Sequence, residues 1–121
     1  MNPSDSIYSP EMLGRRRHER FSFEKPGILR LEHVHGGLYL ITVLDLSRSG
    51  LRINCPKAVA RETRVEVQCL GRRVSGVVRY TREVGPREFH VGIEADRAET
   101  NGVVWSDGTL DLTALFQISR G

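Results

Sequence analysis

From Phe21 onward the chain is written in short runs whose apolar residues recur every second position, cut apart by glycine-containing turns. That period sends successive side chains to opposite faces of a strand, and it leaves few of the i, i+3, i+4 stripes that helices need. Leu51, Ile53 and Cys55 alternate with Arg52 and Asn54, and Val65, Val67 and Cys69 with Glu66 and Gln68. Each run predicts a strand with one buried face. Ile28 to His35 and Leu38 to Leu46 flank Gly36-Gly37, a pair suited to a tight antiparallel hairpin. Arg73 to Arg82 and Glu88 to Glu94 follow, with Phe89, Val91 and Ile93 on one face. Six short antiparallel strands hide their edges most economically by closing, so the expected fold is all-β, a six-stranded antiparallel barrel.

The flanks read differently. Residues 1–14 mix Ser, Pro, Asp and Asn without apolar period and predict a flexible N-terminal arm. The barrel domain is expected over 15–95. Beyond it, 96–121 reads as a C-terminal extension: Val103 to Trp105 is a brief apolar patch, and Asp111 opens one capped helical segment that would plug a barrel end. With 121 residues, one core is all the chain can build.

Composition narrows the function. Two cysteines cannot staple a secreted scaffold, no apolar stretch approaches the ~20 residues of a membrane span, and MNPSDSIYSP lacks the basic flank and apolar run of an export signal. A cytoplasmic protein is expected. The net charge is +3, and RRRHER at 15–20, with four Arg and one Glu, accounts for all of it. Attraction for phosphate is therefore local, and a broad DNA- or RNA-binding surface is not expected.

Catalytic and metal signatures are weak. His33 and His35 would share one side of a strand, but no third metal ligand is apparent. Cys55 and Cys69 occupy apolar positions and read as small core residues, and His90 is expected to point outward. Ser47, His90 and Asp45 supply the atoms of a hydrolytic triad without a nucleophile elbow. A phosphate loop of the GxxxxGK[ST] kind is absent. The chain reads as a binding protein, not an enzyme, and no cofactor is called for.

Two motifs remain. Arg16-Arg17-His18-Glu19-Arg20 is an RxxxR just before the barrel, and Asp45-Leu46-Ser47-Arg48-Ser49-Gly50 is a [DN]xSxxG at the end of the second strand, about 25 residues on. With 16 Arg in the chain, an RxxxR arises about twice by chance, whereas the second motif is expected only about 0.06 times. In this order and spacing, and with Val91-Gly92-Ile93-Glu94 in the last strand, the pair resembles the PilZ family, small bacterial β-barrels that bind cyclic di-GMP. The resemblance covers about residues 15–95. It implies a ligand site formed by Arg16 and Arg20 with Asp45, Ser47 and Gly50; Arg15, just before the motif, goes in this family with binding of two intercalated ligand molecules.

The chemistry agrees with that resemblance. Guanidinium forks onto phosphodiester oxygens and onto guanine O6 and N7, and it stacks on the base plane. Asp45 can accept from a guanine N1/N2 edge or hold an arginine, and Ser47 can donate or accept. Gly50 leaves room for a base or a sharp positive-φ turn. Asp45 and Ser47, two apart, are expected on the barrel exterior, with Leu44 and Leu46 in the core. As a surface acceptor, Asp45 should then be removable at about 0.5 kcal/mol or less. The function implied is a cyclic di-GMP receptor whose arm orders on binding and presents a changed surface to a downstream protein. A ligand-independent adaptor of the same family and an oligonucleotide-binding barrel are the competing readings. For the latter an exposed aromatic platform is needed, and aromatics are only 7% of the chain.

Overall fold

A computed structural model describes residues 19–106 and 108–117. The strands are β1 (Phe21–Leu31), β2 (Leu38–Leu46), β3 (Gly50–Cys55), β4 (Arg64–Cys69), β5 (Arg72–Gly85), β6 (Glu88–Thr100) and β7 (Val103–Ser106), followed by a single-turn helix, α1 (Leu112–Leu115). Neighbours run β3-β2-β1-β4-β5-β6, all antiparallel, and β3 also pairs with β6 from Gly50↔Glu94 to Cys55↔Phe89. That last pairing closes a six-stranded barrel, and β7 hangs on the outer edge of β6.

The core is the inward half of the alternating runs: Leu29, Val43, Leu46, Leu51, Ile53, Val65, Val67, Val74, Val78 and Val91 are all at most 1% exposed. Cys55 and Cys69 are free and buried among them. Burial raises both thiols above their ordinary value, against smaller lowering effects, so they stay protonated and serve as packing.

β5 extends three residues past the expected Arg82, to Gly85, and larger departures from the expected boundaries occur in β1, β6 and β7. β1 begins at Phe21, seven residues before Ile28, and runs through Pro26; there it pairs with β2 alone, β4 joining only at Ile28, so the missing proline N–H breaks no second ladder. It also ends at Leu31. His33 and His35 therefore lie exposed in the connecting loop rather than side by side in a strand. At the other end, β6 continues past Glu94 to Thr100 and turns into β7 through Asn101-Gly102, whose φ angles of 52° and 82° suit a two-residue hairpin. A register shift at Ser75/Gly76 lets Ala95 and Ala98 both face inward.

α1 seals the barrel as expected. Leu112 and Phe116 join the core, and the Phe116 ring meets Phe23 edge-on with centroids 5.1 Å apart. Arg72 lies over the same ring and donates from Nε to the Leu115 carbonyl at 2.6 Å. The cap is Asp111, whose Oδ1 accepts from the backbone N–H groups of Thr113 (3.1 Å) and Ala114 (3.3 Å) and from the Thr113 hydroxyl (2.6 Å). Burial pushes the Asp111 carboxyl up, but these donors and Arg48 outweigh it and leave the group below its usual range. A depressed folded value means stability present above the unfolded value of about 3.9 and lost as pH falls through the folded one. Asp111→Ala should lower stability by about 1 kcal/mol in a thermal melt at neutral pH, whereas Asp111→Asn, itself a good cap, should lose mainly the acid-limb dependence. Among the described residues no helix is long and apolar enough to cross a membrane.

Candidate functional site

The [DN]xSxxG segment is the connection between β2 and β3. The Ser47 N–H donates to the Gly50 carbonyl at 2.8 Å and the Ser47 hydroxyl donates to the same oxygen at 3.4 Å, closing the turn on itself. A turn spanning 47–50 sets Leu46 opposite Leu51, and so Asp45 opposite Arg52.

That register builds a charge cluster on the outside of the barrel. Arg52 donates to Asp45 Oδ2 from Nε (2.9 Å) and Nη2 (2.6 Å), and Arg20, arriving from just before β1, donates from Nε to Oδ1 at 2.7 Å. One carboxylate thus holds two guanidinium groups, each oxygen serving one. Asp45 is on the exterior face, as its alternation with inward Leu46 requires, yet the two arginines cover it to 8% exposure. Arg20 and Arg52 stay partly open to solvent, so each keeps donors free for an anion.

Three expectations about the motif and its strand are corrected. Ser47 is not an exterior group: the strand ends at Leu46, alternation stops, and the side chain is buried at 2% with its hydroxyl turned inside the loop. Leu44 is not a core residue either, because a register shift between Val43 and Asp45 makes Val43 and Leu46 the inward pair. Gly50 is not among the positive-φ residues. A Cβ built there would sit 2.8 Å from the Ile93 carbonyl oxygen, so the missing side chain is what lets β3 approach β6. Arg15 and Arg16 lie outside the described residues, as does the expected flexible arm at 1–14.

Ser47, His90 and Asp45 do not assemble as a triad: Ser47 is spent on its own turn, Asp45 on two arginines, and His90 stands opposite Asn54, with its Nδ1 buried and unpartnered. Arg48, next to the motif serine, is exposed and reaches toward Asp111 at 3.7 Å; its carbonyl accepts from the Leu112 N–H at 2.9 Å, tying the motif loop to α1. Arg52, which the alternation around Leu51 and Ile53 marks only as an outward strand residue, is a member of the cluster that neither motif contains. Counting back across the four-residue turn was the available signal.

Fold and cluster together define a small closed β-barrel that gathers arginines from two chain segments onto one carboxylate outside its wall. A model of the PilZ domain matches residues 14–102, and the chain belongs to that family, a family of cyclic di-GMP-binding receptor domains. No curated protein matches the chain.

Proposed function

We propose that the protein is a cyclic di-GMP receptor that binds its ligand outside the barrel, between the arginine arm and the turn after β2. The observation that carries this reading is the ion pair between the two motif halves, Arg20 Nε to Asp45 Oδ1 at 2.7 Å, made by residues 25 apart in the chain. Arg15, Arg16 and Arg20 are the proposed donors to phosphodiester oxygens and to guanine O6 and N7, each suited by its fork of N–H groups. Asp45 orients Arg20 and Arg52 and has acceptor capacity for a guanine N1/N2 edge. Ser47 and Gly50 hold the turn that fixes Asp45. The proposed role is regulatory, not catalytic: ligand concentration sets how the arm lies on the barrel, and the altered surface is what a downstream protein reads.

Calorimetry with cyclic di-GMP, GTP and a single-stranded oligonucleotide tests this directly. Binding of the cyclic dinucleotide alone is expected; oligonucleotide binding in its place would favour a nucleic-acid barrel, and no binding of any of the three would leave an adaptor. Coupling to the arm is a separate prediction. Amide exchange over 15–20 should slow on addition of cyclic di-GMP, because the charges that repel one another without ligand acquire phosphate partners. Equal protection with and without ligand would show that the arm is not the moving part.

A further inference from the structure

β7 leaves the sheet with an open strand edge. On one side its four residues pair with β6, from Arg97↔Ser106 to Thr100↔Val103, and among the described residues no strand pairs with the other side. The turn between β6 and β7 is the two residues Asn101 and Gly102, so Thr100↔Val103 is the pair that closes the hairpin with hydrogen bonds in both directions. Hydrogen-bonded pairs alternate along an antiparallel ladder. Val104 is therefore of the other kind, with its N–H and C=O directed away from β6 and out of the open edge.

Edges of this sort are ordinarily blunted by charge, proline or a bulge. β1 has all three where only β2 pairs with it: Glu24, Lys25 and Pro26, with a register shift between Ser22 and Lys25. β7 reads Val-Val-Trp-Ser, has no charge or proline, and keeps an unbroken register with β6. Its apolar side chains are open as well: Val103 is 52%, Val104 49% and Trp105 38% exposed. An unguarded edge of β-branched and aromatic residues is a template for one more strand.

We infer that β7 pairs antiparallel with β7 of a second copy of this chain, about a two-fold axis at Val104. Self-complementarity singles out that occupant. A two-fold axis relating neighbouring antiparallel strands stands perpendicular to the sheet and keeps every side chain on its own face, so the axis must pass through a residue and not between two. Centred on Val104, the outward N–H of each copy donates to the outward Val104 C=O of the other. The same register sets Val103 opposite Trp105 of the second copy, and the reverse, as closely spaced pairs of a β-branched residue with an aromatic one. Other centres do less. One at Trp105 needs hydrogen bonds to the Ser106 carbonyl, which already accepts from the Thr109 N–H at 3.3 Å and the Thr109 hydroxyl at 2.6 Å. One at Val103 runs the pairing into the Asn101-Gly102 turn. All three apolar side chains meet an apolar partner only about Val104. The seam is short, so the association belongs to the weak, reversible class, and it stands apart from cyclic di-GMP binding.

Sedimentation velocity on the full chain, from micromolar to millimolar concentration, should show a reversible equilibrium of monomer and dimer. Val104→Lys and Val104→Glu each set two like charges face to face at the axis, on a side chain outside the core, and each should weaken self-association by about ten-fold or more. An equimolar mixture of the two variants should restore it, because Lys then faces Glu. Melting curves check that both are folded at the sedimentation temperature. A wild-type chain that stays monomeric overturns the inference, and so does a mixture that stays monomeric, since residue 104 then does not face itself. Self-association unchanged in both variants also overturns it and moves the contact elsewhere, for instance to the exposed cross-strand pair Ile28 and Leu40. Should the variants unfold, wild type decides alone: the Val104 amide is expected to gain protection from hydrogen exchange as protein concentration rises, and protection independent of concentration overturns the pairing.

Discussion

Asp45→Ala is expected to damage the fold and the ligand site together. The carboxylate accepts three guanidinium hydrogen bonds of 2.6 to 2.9 Å from Arg20 and Arg52 and is almost hidden beneath them. Removing it leaves two cations side by side on the barrel wall with nothing between them. Complete burial would make that cost several kcal/mol, but both arginines are partly solvated, which screens the repulsion; a loss of about 1–2 kcal/mol is expected, or a fall in Tm of roughly 4–8 °C. Ligand affinity should drop by about ten-fold or more, because a charge-assisted hydrogen bond contributes about 1.5–3 kcal/mol and Arg20 loses its anchor as well. Arg20→Ala should reproduce the affinity loss with a smaller change in Tm, since Arg52 still neutralises Asp45. Parallel melting and calorimetry check both. An Asp45→Ala protein with wild-type Tm would show that the double ion pair contributes nothing to the fold, and one with wild-type affinity would remove Asp45 from the site.

The sequence carried the barrel because the information needed for it is periodic and local. β2 is found where its apolar run and the Gly36-Gly37 turn place it, and β3 and β4 differ from the expected runs by one residue. What escaped was structure whose signal is not apolar alternation. The Phe21 end of β1 runs through Glu24, Lys25 and Pro26, which carry no apolar alternation, and it is held by pairing with distant β2. The far end of β6, ADRAET, buries only Ala95 and Ala98, side chains too small to mark a core face, and they do not even keep a period of two because the register shifts. β7 then follows as the partner of a strand that was itself invisible.

The site was legible as a set of residue types and less so as geometry. Arg20 and Asp45 were expected together and lie 2.7 Å apart. Their enclosure by Arg52 depends on a pairing between strands. Such a cluster cannot be read from either motif alone, because Arg52 reaches Asp45 from the neighbouring strand.

Gly50→Ala is expected to act on the barrel seam rather than on the ligand. Gly50 opens β3 directly opposite Glu94, and an added Cβ would stand 2.8 Å from the Ile93 carbonyl oxygen, inside any distance a carbon and an oxygen tolerate. That oxygen belongs to the β6 backbone, so it cannot swing aside as a side chain would. β3 and β6 must part at the seam that closes the ring, and the Ser47 turn, anchored on the Gly50 carbonyl at 2.8 Å, moves with them. Overpacking of this kind costs typically about 1–3 kcal/mol, which here is a fall in Tm of roughly 4–12 °C. A ligand-facing glycine behaves differently, losing affinity while melting normally. Titrated well below its lowered Tm, Gly50→Ala should therefore bind cyclic di-GMP within a few-fold of wild type, the residual loss coming from a displaced Asp45. Normal melting with abolished binding would reverse the assignment and put a base of the ligand, not the β6 backbone, against residue 50.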